Sequence, residues 1–207
     1  MWHRISRRVD LFLLRMAKRM DLLIEMERLS YARRTAALDP TVKIYPTAQI
    51  RNFSSDPKAI TVGAYTHIEC QLMVFGDSGR INIGEWCHIT SGTRIWSQDL
   101  ISIGNCVGIA HWVDIHDADY PPVGWEERHR DTLQPPILRK YGVPTKTVSK
   151  PIIIEDDVWV GFKSTIHKGV RIGKGAIVAA GSVIVEDVPP LTLVAGNPAK
   201  VVRELKR

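Results

Sequence analysis

A chain of 207 residues with 44% hydrophobic content can bury a substantial core and suits one domain with an appendage. Its formal net charge of +6 fits an anionic partner, such as a phosphorylated cofactor, an acidic glycan or a membrane face. The basic residues do not interleave with aromatics and no recognition motif appears, which argues against nucleic acid. Cys70, Cys87 and Cys106 form no C-x-x-C, so they read as reduced, core-packing residues of a cytoplasmic protein.

Residues 1–38 place Ile5, Val9, Phe12, Met16, Met20, Leu23 and Met26 at helical spacing, with arginines and lysines elsewhere around the wheel. This predicts an N-terminal amphipathic α-helix. It either caps or packs against a neighbouring subunit, or lies on an anionic membrane surface as a peripheral contact. Arg15, Lys18 and Arg19 interrupt the apolar run that follows Arg4, Arg7 and Arg8, and no small-residue cleavage site follows. A signal peptide is therefore not expected.

From residue 39 to about 190 a period of six dominates. It runs through Ile83, Ile89, Ile95 and Ile101, then Ile103, Ile109 and Ile115, and later Ile154, Val160, Ile166, Ile172, Val178 and Ile184; an earlier fragment gives Val62, Ile68 and Val74. Helices repeat at three and four and exposed strands at two, so six fits neither. It fits an all-β solenoid with three flat faces per coil, each giving one branched aliphatic to a central core. About five coils at ~4.8 Å spacing would make a prism ~24 Å long. Glycines near the aliphatics, as in "VGAYTHI" and "IGEWCHI", are expected at corners, where a tight turn can demand positive φ. Gly161, Gly173 and Gly181 are assigned to such corners, since no G-x-G-x-x-G precedes a helix.

Between Ile115 and Pro151 the period vanishes, giving an inserted loop at about 117–150. A long structureless excursion of this kind is commonly functional. It opens on "IAHWVDIHDADYPPVG", which carries two histidines and three aspartates. The last segment, 191–207, is expected to form a short basic helical tail.

With "AGSVIVEDVPP" and "AGNPAKVVRE" in the closing repeats, the sequence resembles the hexapeptide-repeat acyltransferases, and among them the sugar and polysaccharide O-acetyltransferases. The resemblance covers roughly Val62 to the C-terminus. It implies a left-handed parallel β-helix, a homotrimer, and acetyl transfer from acetyl-CoA to a sugar hydroxyl during surface polysaccharide or lipopolysaccharide synthesis, with the protein cytoplasmic or at the inner membrane face. By the same resemblance Ala110, Phe162, Ala180, Lys200 and Arg203 fall at acyl-donor positions, although Phe162 stands where a small residue is usual. The inserted loop would reach over the active site and offer Asp117, Asp119, Trp125 and Glu126 to the acceptor.

The family's catalytic histidine is missing from its usual place: one alignment puts Tyr120 there and another Pro121. Neither is a base near pH 7. His116 lies just upstream beside Asp117 and Asp119, and is taken as the relocated general base; His129 in "EERHRD" is a weaker candidate. Two alternatives stay open. "AHWVDIH" is similar to the A-H-x-x-x-x-H of γ-class carbonic anhydrases, which would make His111 and His116 metal ligands, but no third histidine occupies the matching place, so no metal is expected. The missing histidine also admits a non-catalytic scaffold of the same fold.

Overall fold

The computed structural model describes residues 2–119, 121, 123–133 and 148–206. Helix α1 (Trp2–Thr35) leads into six coils of three short strands each. The first four coils are β1–β3 (Ala37–Leu38, Lys43–Ile44, Gln49–Asn52), β4–β6 (Ile60–Val62, His67–Ile68, Gln71–Val74), β7–β9 (Ile81–Ile83, His88–Ile89, Arg94–Ser97) and β10–β12 (Ile101–Ile103, Gly108–Ile109, Asp114–His116). After the excursion, which carries α2 (Trp125–Leu133), come β13–β15 (Ile152–Ile154, Trp159–Val160, Thr165–Ile166) and β16–β18 (Arg171–Ile172, Ile177–Val178, Val183–Ile184). Strands β19 (Thr192–Gly196) and β20 (Ala199–Glu204) finish the chain.

The first strand of each coil stacks into one parallel sheet, the second into another and the third into a third. This is the left-handed parallel β-helix, one coil longer than the sequence count. Its core is the column of residues with period six: Ile83, Ile89, Ile95, Ile103, Ile109, Ile115, Ile154, Val160, Ile166, Ile172, Val178 and Ile184 are all buried. Branched aliphatics stack tightly here because each inward residue sits directly over its equivalent one coil away. The early fragment needs a correction at its third member. Leu72, not Val74, holds the register of Ile95, while Val74 is buried opposite Asn52 and Ser97.

The corner glycines serve two purposes: Gly181 has the expected positive φ (70°), whereas others answer a need for space. Positive φ falls on Tyr65 (56°), Trp86 (57°), Cys106 (57°) and Asp157 (59°), two residues after Gly63, Gly84, Gly104 and Glu155. At Gly104 the need is for space: an added Cβ would stand 2.7 Å from the backbone nitrogen of Asp156. Coils approach so closely there that no side chain fits between them. Cys106 is accordingly exposed at a corner, whereas Cys70 and Cys87 are buried as expected.

Two segments depart from the sequence reading. The C-terminal tail is a strand, not a helix: β20 runs antiparallel to β19 and pairs Lys200 with Ala195 and Arg203 with Leu193. The open edge of the second sheet leaves unpaired backbone groups that this hairpin satisfies. The excursion is not structureless either. Glu126 and Glu127 in the first turn of α2 and Arg130 in its last complement the helix dipole.

Candidate active site

His116 follows the inward Ile115 on β12, and strand alternation turns it outward from the third sheet. In register it stands over Trp96 of the coil below, and the rings stack with centroids 4.8 Å apart and planes 4° from parallel. The indole is held in turn by its Nε1–H, which donates to Gln71 Oε1 at 2.8 Å. Beside this stack Arg94 donates two hydrogen bonds to Asp114, at 2.5 and 2.7 Å. Asp114 Oδ1 lies 3.9 Å from His116 Nε2, close enough for charge but too far for a hydrogen bond.

The environment of His116 is therefore asymmetric. Its side chain is 37% exposed, yet Nε2 is buried with no hydrogen-bond partner. Burial pushes its pKa below the ordinary histidine value, opposed by the nearby Asp114 carboxylate and assisted by the Arg94 and His167 charges. The imidazole is thus held neutral at pH 7, the state a general base requires.

His167 is a neighbour that sequence reasoning missed. Ile115 pairs with Ile166, so His167 occupies on the next coil the place that His116 occupies on its own. The signal was available: "Ile-His" recurs at the same inward-then-outward step in both coils.

The excursion leaves and returns through a narrow antiparallel neck. Lys150 N donates to Asp117 O at 2.9 Å, Asp119 N donates to Val148 O at 3.1 Å, and Ala118 bridges Ser149. Asp117 was expected beside the acceptor. Its side chain instead turns inward, fully buried, and accepts from Ser97 Oγ (2.6 Å), Gln98 N (2.8 Å) and Asp99 N (3.0 Å). It ties the neck to the coil below, and the carboxylate facing His116 is that of Asp114. Asp119 pairs with Lys168, the residue after His167, so it stays at the mouth of the site. Trp125, Glu126 and His129 lie on α2 and are exposed; none has a hydrogen bond or ring contact with His116 among the described residues. Tyr120 and residues 134–147 lie outside the described residues, and Pro121 is exposed.

The expected acyl-donor positions gather along the corner between the second and third sheets. Ala110, Gly161 and Ala179 follow the inward Ile109, Val160 and Val178, giving a small-residue column one coil apart at each step. Gly161 allows the close approach, since a Cβ there would stand 2.5 Å from the nitrogen of Ala180. Phe162 borders the column, exposed, with its ring 6.4 Å from that of His111. Lys200 closes the upper end opposite Ala195, with its amine 3.1 Å from Glu186. Arg203 lies farther back along the hairpin, opposite Leu193. Ala110, Phe162, Ala180 and Lys200 thus share one edge, and His116 lies on the adjacent face of the same coil as Ala110.

The histidine pair of the metal alternative does not converge. His111 sits at the corner with Nδ1 3.2 Å from Thr90 Oγ1, while His116 is stacked on Trp96. No three His, Cys, Asp or Glu side chains among the described residues are grouped so as to hold a metal ion. His67 and His88 face outward from the second sheet, bonded to Tyr45 and Glu69 respectively.

A hexapeptide solenoid with a histidine at its one broken coil and a small-residue column beside it defines a class, and comparison with known proteins agrees. Residues 151–186 match the family described as "Hexapeptide repeat of succinyl-transferase". Over that segment the chain carries the hexapeptide repeat, and it is similar to acyltransferases built on it. It is 54% identical over 63 residues to the 2,3,4,5-tetrahydropyridine-2,6-dicarboxylate N-acetyltransferase of Staphylococcus aureus strain bovine RF122, a match covering 30% of this chain and 26% of that protein. Clostridium perfringens strain SM101 has a similarly named enzyme, 56% identical over 62 residues, with 30% of this chain and 25% of that protein covered. The match thus spans about a quarter of the length of these curated relatives.

Among solved structures, the fold resembles AntD, an N-acyltransferase from Bacillus cereus in complex with dTDP and 3-hydroxybutyryl-CoA. The TM-score is 0.66 at 20% identity, covering 86% of this chain and 88% of that one. A hexapeptide-repeat containing acetyltransferase from Vibrio cholerae aligns with a TM-score of 0.52 at 28% identity over 93% of this chain and 90% of its own.

Proposed function

We propose that the protein transfers an acetyl group from acetyl-CoA to a sugar hydroxyl, with His116 as the general base. The observation that carries this reading is the neutral, half-buried imidazole of His116, stacked on Trp96 at the coil where the excursion leaves the solenoid. An alcohol is a poor nucleophile until its proton can leave. In the proposed step His116 takes the hydroxyl proton as the oxygen attacks the thioester carbonyl. The tetrahedral intermediate then expels the coenzyme A thiolate, the C–S bond breaks, and the imidazolium returns the proton to sulfur. Asp114 favours the transient imidazolium from 3.9 Å, as a carboxylate beside a catalytic histidine does.

Coenzyme A fits the small-residue edge: its pantetheine arm needs close backbone approach along Ala110, Gly161 and Ala179, with Ala180 beside them, and its phosphates need cations such as Lys200 and Arg203. The acceptor is read as a sugar, met by Asp119, Trp125 and Glu126 from the excursion, with Asp117 holding the neck in place. The family resemblance extends this to a homotrimer acting in surface polysaccharide synthesis on the cytoplasmic side of the membrane.

A second reading, transfer to an amine, is favoured by the identity with enzymes named as N-acetyltransferases. Assay of acetyl-CoA with matched hydroxy- and amino-sugar nucleotides, comparing wild type with His116→Ala, tests both. The proposal expects transfer to the hydroxyl acceptor and a loss of ~10²–10⁴ in kcat for the variant. Transfer to amines alone would establish the second reading, and undiminished turnover by His116→Ala would remove the base. Coenzyme A binding with no transfer to any acceptor would make the protein a scaffold of this fold.

A further inference from the structure

The last turns of helix α1 fasten it to the first coil: Ala32 is buried, Leu29 packs against the core, Arg28 donates to Ala48 O at 3.2 Å and Asn52 donates to Thr35 O at 2.8 Å. From residue 13 to residue 24 every side chain is exposed. At 1.5 Å per residue the helix extends about 35 Å ahead of its docked turns.

Two faces of this stretch are of different chemistry. Leu13, Met16, Met20 and Leu23 are 58%, 46%, 58% and 58% exposed. At about 100° per residue their positions share one side of the helix with Val9 and Phe12, in a stripe about 100° wide. The stripe is centred about 150° around the helix from Arg28, Leu29 and Ala32, so it faces away from the protein's own core. On one flank fall the positions of Arg4, Arg8, Arg15, Lys18 and Arg19; Asp10 and Asp21 fall on the other.

Charge says what the stripe meets. Helix α1 holds nine Arg and Lys against four Asp and Glu, whereas the rest of the chain holds nineteen against eighteen, so nearly all of the net charge of +6 sits on this one element. Two of its four acids are already paired, Glu25 with Arg28 at 2.6 Å and Glu27 with Arg34 at 3.2 Å. Arg15, Lys18 and Arg19 have no ion pair among the described residues. A second copy of the helix would bring like charges together, whereas a layer of anionic headgroups neutralises them. Nucleic acid would meet the charges but leave the apolar stripe in water.

We propose that α1 docks the protein on an anionic lipid bilayer, lying in the plane of the surface with the Val9–Leu23 stripe among the upper acyl chains and the basic flank at the headgroups. Arg15, Lys18, Arg19 and Asp21 interrupt the apolar run, as suits a helix that lies on a bilayer, and among the described residues no helix is long and apolar enough to cross one. Because the docked turns lie on the side opposite the stripe, the solenoid stands on the water side of the helix.

The test is flotation of the full chain with two kinds of vesicle, phosphatidylcholine alone and phosphatidylcholine mixed equally with phosphatidylglycerol. The expected result is flotation with the mixed vesicles and not with the neutral ones. Met20→Glu, and separately Arg15→Glu combined with Arg19→Glu, change exposed positions where folding is not at stake, and each should weaken partitioning by at least about tenfold. Val202→Glu, at an exposed position of the C-terminal hairpin, should float like wild type. Equal flotation on neutral vesicles, or flotation that survives Met20→Glu, overturns the proposal. So does a wild-type protein that floats with neither vesicle; if Met20→Glu then also lowers the particle mass in vesicle-free buffer, the stripe is an interface between copies of the chain.

Discussion

The imidazole of His116 lies flat on the indole of Trp96, with ring centroids 4.8 Å apart and planes 4° from parallel. The contact fixes the imidazole's orientation and removes water from one of its faces, so under the proposed mechanism Trp96 would position the base. Trp96→Leu should lower kcat by ~10²-fold through misplacement of the base, with little change in coenzyme A affinity. It should also move the acidic limb of the kcat/KM profile upward, toward the ordinary histidine value, as water returns to the ring. A merely structural role would leave that limb where it was.

Asp114 acts on the same imidazole by charge. Its carboxylate raises the His116 pKa against the larger effect of burial, and it also neutralises Arg94, which lowers it. Asp114→Asn removes both supports. The acidic limb of kcat/KM should therefore move to lower pH, in the opposite direction to Trp96→Leu. A pH–rate series on the two variants checks the signs, and a shift of both limbs the same way would contradict this account.

Much of the fold was legible because the period-six positions are branched aliphatics throughout, and nothing but a three-faced coil reconciles that spacing with burial. The corners were less legible. Positive φ at Tyr65, Trp86 and Cys106 leaves no mark in residue type, since these are residues that ordinarily avoid it. The tail strand was hidden because its reason to be extended is the open edge of a sheet whose other members lie earlier in the chain. At the candidate site, the outward place of His116 at the broken period could be read from the sequence. Its true carboxylate neighbour could not, because Asp117 reads as the nearer acid in sequence while its partners, Ser97 and Gln98, belong to a coil about 20 residues earlier.

Asp117 holds that coil and the neck together, and its substitution separates structure from catalysis. Asp117→Ala strands the hydroxyl of Ser97 and the amides of Gln98 and Asp99, which should cost about 1–3 kcal/mol for buried groups left unpaired. Asp117→Asn keeps one carbonyl acceptor and should cost less. Urea denaturation orders the pair, and a direct role with the acceptor would instead give two stable proteins with impaired KM.

The lowered pKa of His116 also predicts how stability varies with pH. Above the unfolded value of about 6.5 the group is neutral in both states and adds no pH dependence. As pH falls below that value the unfolded chain takes up the proton before the native one, so stability drops until the lowered native pKa is passed. His116→Gln should flatten this part of the acid limb while leaving the neutral plateau in place. Urea midpoints measured from pH 7.5 down to pH 5 read the effect directly, and parallel curves for wild type and variant would mean that the imidazole is not held neutral by burial.

The glycine corners separate two reasons for one residue type. At Gly104 an added Cβ would meet the Asp156 nitrogen at 2.7 Å and the Glu155 carbonyl carbon at 2.9 Å, so two coils must part. At Gly181 the surroundings are open, with nothing within 4 Å, and the strain comes only from φ of +70°. Gly104→Ala should therefore cost about 1–3 kcal/mol as overpacking does. Gly181→Ala should cost about 1 kcal/mol, the strain of a side chain in the left-handed region. The gap should widen with asparagine: Gly181→Asn should regain most of the loss, because asparagine tolerates that φ, whereas Gly104→Asn should be worse than alanine. Melting curves of the four variants decide whether space or φ is what each corner demands.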